Sequence, residues 1–153
     1  MLDTVVYMDE YLFDEGDMIK NVLSGDLNVL REIYAGNCVD LANYVKGICL
    51  ANRLLASVIT FKNPKCFLNP LKVTDELTNT ERTYTHHSVV LLGACIMDIL
   101  HTDRLISTRE YVRHLRELNP DVKVYSALSD GWFDSDGYSI PVDLDYLENY
   151  KSD

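Results

Sequence analysis

No stretch of this 153-residue chain approaches the roughly 18 consecutive apolar residues that suggest a membrane span. The N-terminus MLDTVVYMDEYLFDEGD also lacks a basic opening followed by an unbroken apolar segment. A cytoplasmic protein, or one exported by a route these motifs do not report, is therefore expected, with no membrane association. Cysteine is sparse: Cys38, Cys49, Cys66 and Cys95 are too few and too widely spaced for a disulfide scaffold, and none belongs to a C-x-x-C zinc pair. They read as free thiols. Clustered Lys and Arg are lacking as well, with 14 basic residues against 24 acidic ones, which argues against nucleic acid as a ligand. No internal repeat, low-complexity tract or Ser/Gly linker divides the chain, so residues 1–153 are expected to form one domain.

What is present is a hydrophobic fraction of 47%, enough for a sizeable core, and a net charge of -10 that is unevenly spread. Residues 1–35 carry eight acids against two bases, and residues 130–153 carry seven against one. Acidic ends of this kind keep a protein soluble and can also attract a basic partner.

Hydrophobic spacing predicts helices over Gly16–Leu23 and Asp26–Tyr34, divided by Ser24-Gly25. After Ala35-Gly36-Asn37 comes the strongest helical pattern, with Cys38, Leu41, Ala42, Val45, Ile48 and Cys49 on one face. The β-branched and aromatic run Leu54–Phe61 predicts a strand, Pro64 and Pro70 bracket an irregular stretch, and the polar residues 72–82 read as a loop. Strands follow at about Tyr84–Leu92 and Cys95–Leu100. Ser107-Thr-Arg-Glu110 is a capping box that opens a helix to about Leu118, which Asn119-Pro120 ends. A strand over Val122–Leu128, the loop SDGWFDSDG, a short YSIPV strand and an amphipathic turn complete the chain. Helices first, then an antiparallel sheet with one inserted helix, define an α+β fold.

Asp98 lies within an apolar run, and a buried carboxylate needs a partner. A two-residue hairpin loop at Gly93-Ala94 would pair Leu92 with Cys95 and set Val89 opposite Asp98. His87 then shares the face of Val89 and lies diagonally across from Asp98, within reach of an imidazole–carboxylate hydrogen bond. A one-residue slip would hand that role to His86. A carboxylate that fixes a histidine either orients a general base or sets the tautomer of a metal ligand. His101 and His114 have no close His or Cys at metal-ligand spacing, so no metal is expected.

Cys38 follows Gly36-Asn37 and begins the central helix, where the positive end of the helix dipole favours a thiolate. It is also in phase with the core stripe, as a purely structural cysteine would be. Cys49, Cys66 and Cys95 fit the structural role better.

The segment GNCVDLA at 36–42 resembles the G-x-C-x-D-x-A motif of the transglutaminase-like superfamily of papain-fold cysteine enzymes, whose nucleophile opens a helix packed on an antiparallel sheet. HHSVVLLGACIMDIL resembles the His strand and Asp strand of that family, in the order Cys, His, Asp. DILHTDRLIS and VYSALSDGWF are similar to later segments of the bacterial transglutaminase-like cysteine proteinases, and the resemblance runs over about residues 34–133. It implies a papain-like α+β fold with Cys38 as nucleophile, His87 as base and Asp98 as the orienting acid. It implies hydrolysis of an amide in a protein or peptide through a thioester, without a cofactor. Proteolysis, glutamine deamidation and acyl transfer share the first half-reaction and stay open. The backbone N–H of Cys38 is placed to serve an oxyanion. Asp40 matches the acid of the motif, yet also fits a first-turn acid complementing the helix dipole, and no role is settled for Asn37. Asp134-Ser-Asp136-Gly137 reads as a turn rather than a calcium loop, and Trp132 and Phe133 as core or cleft rim. The alternative from another class is a non-catalytic acidic protein that binds a basic partner or mimics nucleic acid.

Overall fold

The computed structural model describes residues 27–63, 70–92, 94–127 and 139–149. The expected helix Gly16–Leu23, Cys66 and the SDGWFDSDG loop lie outside the described residues. Helix α1 (Leu27–Ile33) ends in a turn where Gly36 takes φ +74°, a left-handed conformation that glycine adopts without penalty. That reversal delivers Asn37 as the N-cap of α2 (Cys38–Ala51), although its side chain makes no capping bond. Among the buried residues of α2, Cys38, Leu41, Ala42, Val45 and Cys49 share one face of the helix, and Val39 is buried as well.

The main sheet contains β1 (Ser57–Lys62), β4 (His87–Leu92), β5 (Cys95–Met97), β6 (Ile106–Ser107), β7 (Lys123–Ala127) and β8 (Ser139–Pro141). Their order is β6-β5-β4-β1-β7-β8, and the neighbouring pairs are antiparallel. Strand alternation separates two hydrophobic clusters. Val58, Val90, Leu92 and Met97 pack with the α2 stripe on one face. Ile59, Phe61, Val89 and Ile96 pack with α3 (Thr108–Leu118) on the other. A separate hairpin, β2 (Leu71–Asp75) and β3 (Thr80–Tyr84), inserts Leu71 and Val73 into this second cluster, and Leu147 of α4 (Leu144–Glu148) joins it. The molecule is thus α+β, with helices on both faces of an antiparallel sheet. Among the described residues no helix is long and apolar enough to cross a membrane.

The strand expected from Leu54 begins at Ser57, the one expected over Tyr84–Leu92 is split so that Tyr84 closes β3 and His87 opens β4, and β5 stops at Met97. The largest correction concerns residues 72–82, expected to be a loop and found as the β2–β3 hairpin. Its strands carry too few apolar residues to show a period, because β3 is mostly solvent-facing. Local polar chemistry shapes its turn instead. The Asp75 carboxylate accepts from Leu77 N at 3.0 Å, from Thr78 N at 3.4 Å and from Arg82 Nε at 2.6 Å, while Asn79 takes φ 54°. The helix predicted from the Ser107 box is present, with Ser107 Oγ accepting from Glu110 N at 3.0 Å.

Candidate functional site

The β4–β5 ladder pairs Leu92 with Cys95, Leu91 with Ile96 and Val90 with Met97, the register expected from a two-residue loop. Asp98 therefore falls one step beyond the last rung rather than inside a strand, and His87 Nε2 meets its Oδ2 at 3.0 Å. His86, the alternative under a register slip, makes a contact of its Nδ1 with Thr85 Oγ1 instead.

Two more donors converge on the same oxygen: His101 Nδ1 at 2.8 Å and the Tyr111 hydroxyl at 2.9 Å. Tyr84 completes the group. Its hydroxyl lies 2.6 Å from His101 Nε2, and its ring stacks on His87 at 5.2 Å between centroids. His87, Asp98 and His101 are each at most 3% exposed. A buried carboxylate in this setting stays ionised only because donors replace its lost water. His101 has no histidine or cysteine partner at metal-ligand spacing along the chain, yet the fold sets its ring centroid 4.6 Å from that of His87. His114 is elsewhere, with Nε2 2.7 Å from Thr74 Oγ1. His101, Tyr84 and Tyr111 escaped sequence reasoning because a turn, a hairpin and a helix bring them together; the signal available was His101 three residues after Asp98.

Cys38 enters from the opposite layer, at the first residue of α2, with its thiol 3.8 Å from the carbonyl oxygen of His86. His87 Nδ1, the nitrogen not turned to Asp98, is buried and has no hydrogen-bond partner among the described residues. Cys38 and His87 act on one another electrostatically, each favouring the other's charged form. Burial opposes the Cys38 thiolate, and the Asp98 charge adds to that opposition; the adjacent His87 and the Ser88 backbone N–H outweigh both, holding the thiol below its ordinary pKa. Burial likewise opposes charge on His87, but the Asp98 carboxylate, helped by Cys38, pushes its pKa up to about 10. Asp98 is held well below the usual carboxylate range by His87 and His101 against its own burial. Cys49 shows the contrast: burial without a charged neighbour pushes it up to about 11. Cys38, Cys49 and Cys95 are all free thiols.

His87, Asp98 and His101 offer ligand atoms within 4.8 Å of one another, the group among the described residues that has the donor types for a metal ion. Each nitrogen already faces Asp98 Oδ2 at hydrogen-bond distance, which a shared proton satisfies. A cavity of about 70 Å³ between the hairpin and α3 is lined by Val73, Asp98, His101 and Tyr111 among others, and so opens behind the carboxylate rather than at the thiol. Asp40, in the first turn of α2, is exposed, in keeping with an acid that complements the helix dipole.

Comparison with models of protein families, with curated proteins and with solved structures yields no match for this chain.

Proposed function

We propose that this protein is a cysteine-dependent amide hydrolase of the papain-like, transglutaminase-related type, acting on a protein or peptide. The observation that carries the reading is His87: one ring nitrogen is bound to a buried carboxylate, and the other lacks a hydrogen-bond partner among the described residues and belongs to the ring that lowers the pKa of a helix-opening thiol. In this mechanism Cys38 attacks the amide carbonyl as a thiolate, the oxyanion is met by the backbone N–H of Cys38, and His87 gives its Nδ1 proton to the departing amine. The amine leaves, a thioester remains, and neutral His87 takes a proton from water as it attacks the thioester. Asp98 keeps the His87 Nε2–H occupied throughout, so that Nδ1 is the nitrogen that exchanges protons. Release of ammonia would make the enzyme a glutamine deamidase, and release of a peptide amine a protease.

The acidic-interaction alternative rests on charge at the two ends of the chain, most of which lies outside the described residues. The two readings part at Cys38. Iodoacetamide labelling of each cysteine as a function of pH, mapped by peptide mass, should show Cys38 reacting first and below the ordinary thiol pKa, with marked slowing in His87→Ala. Incubation with casein or a glutamine-rich peptide should then yield a mass adduct on Cys38 or released amine. Labelling of Cys38 no faster than Cys49 would remove the mechanism and return attention to the acidic surfaces.

A further inference from the structure

Asp98 is reached by more donors than the hydrolase chemistry requires, and each comes from a different part of the fold. We propose that His101 and Tyr111 are positioning residues that hold the Asp98 carboxylate ionised and aimed at His87, with Tyr84 as the clamp on His101. This inference rests on the hydrolase reading and adds three residues to its working parts.

Asp98 stands just past the end of β5, so its carboxylate is aimed by its own hydrogen-bond partners rather than by strand pairing. A carboxylate in that position can swing, and His87 Nε2–H would then lose the partner that fixes its ring. The two extra donors close that freedom. Tyr111 comes from α3, where its ring packs against Phe61 at 5.8 Å between centroids, and its hydroxyl donates to Asp98 Oδ2. His101 comes from the turn after β5. Its backbone N–H donates to Asp98 O at 3.1 Å, and its carbonyl accepts Glu76 N at 2.9 Å and Leu77 N at 3.3 Å from the β2–β3 turn. Whether neutral or charged, His101 must carry a proton on Nδ1 to bond an ionised carboxylate, so in the neutral ring Nε2 is an acceptor. Tyr84 supplies the matching donor, and its pKa, pushed up to about 12 by burial and the Asp98 charge, keeps the hydroxyl proton in place. The hairpin thus reaches the site twice, through its turn and through Tyr84.

The role has a direction. Removing a donor frees the carboxylate to turn away from His87 Nε2, and the imidazolium beside Cys38 then loses the charge that stabilises it. The thiolate then becomes harder to form. The titratable groups acting on Cys38 are His87 and Asp98, with Tyr84 and Tyr111 behind them.

The test is the pH profile of Cys38 alkylation by iodoacetamide in wild type, Tyr111→Phe, His101→Leu and His101→Asn, with circular dichroism to show that each is folded. Tyr111→Phe and His101→Leu are each expected to slow Cys38 labelling at pH 6 by about tenfold, the size of one hydrogen bond to a charged group, and to move the profile upward. His101→Asn, which keeps an N–H near the position of Nδ1, is expected to recover most of the wild-type profile. Folded variants whose profiles match wild type would overturn the inference while leaving the hydrolase reading intact. An unselective Cys38 in wild type would overturn both. One equivalent of zinc found in the purified protein by elemental analysis, and lost in His101→Leu, would also overturn it, by making His101 a ligand. Should His101→Leu fail to fold, Tyr111→Phe and His101→Asn carry the comparison, because each leaves most of the side-chain volume in place.

Discussion

His87 reaches Asp98 across the β4–β5 hairpin, imidazole Nε2 to carboxylate Oδ2 at 3.0 Å, from the first residue of one strand to the residue just beyond the other. A charge pair in that place, closed over by Tyr84 and Tyr111, is costly to desolvate, and the fold spends a helix and a separate hairpin to satisfy it. The proposed chemistry gives that arrangement a use.

Replacing Asp98 by Asn should test the pair directly. The variant keeps the volume and loses the charge, so the pKa of His87 should fall and that of Cys38 should rise toward 9.0. Labelling of Cys38 at pH 6 should drop by about tenfold or more. An unchanged rate would mean that Cys38 owes its acidity to the helix start and the Ser88 N–H alone.

The pH dependence of stability follows from the same pair. The pKa of His87 is raised from 6.5 to about 10, so its contribution is complete below about 6.5 and drains away as pH climbs toward 10. That of Asp98 is depressed below 3.8, so its contribution is present above about 4 and is lost as pH falls. These are two sides of one interaction and do not add. The thiol of Cys38, lowered from 9.0, works against the alkaline loss. Urea denaturation of Cys38→Ala should therefore show a stability plateau between about pH 4 and 6.5 with a decline on either side. A midpoint that is flat from pH 6 to 10 would argue against a raised His87.

Asn119 pins the end of α3 to the hairpin. Its Oδ1 accepts from Lys72 N at 2.8 Å, and its Nδ2 donates to Lys72 O at 2.8 Å and Leu115 O at 2.9 Å, all at a residue 1% exposed. Asn119→Ala strands these backbone groups and should cost about 2–4 kcal/mol in a denaturant titration. A loss below 0.5 kcal/mol would mean that water takes over those bonds, roughly the size of an ordinary surface substitution.

The hairpin turn offers a remote handle on the site. Asp75→Ala removes the acceptor for Leu77 N, Thr78 N and Arg82 Nε, and the same turn supplies the N–H groups that hold the His101 carbonyl. Cys38 labelling should slow severalfold in a folded variant. Ser107→Ala is the control: losing its bond to Glu110 N should cost about 1 kcal/mol of stability and leave the Cys38 profile unmoved.

Much of this was legible in local pattern. The helical stripe from Cys38 to Cys49, the Ser107 box and the β4–β5 register all depend on interactions between residues close in sequence, and short-range periodicity and turn chemistry report those. Register in turn carried the pairing of His87 with Asp98, because strand side chains alternate. Tertiary structure alone decided the rest. It turned the polar run 72–82 into a hairpin, since two buried side chains, Leu71 and Val73, and the Asp75 turn suffice to dock it on the second core cluster. By docking it there, the fold brought Tyr84 and the turn at Glu76 to His101, and α3 brought Tyr111 to Asp98. Such contacts join residues whose spacing in the chain carries no period, and only the packing of one layer on another sets their distance.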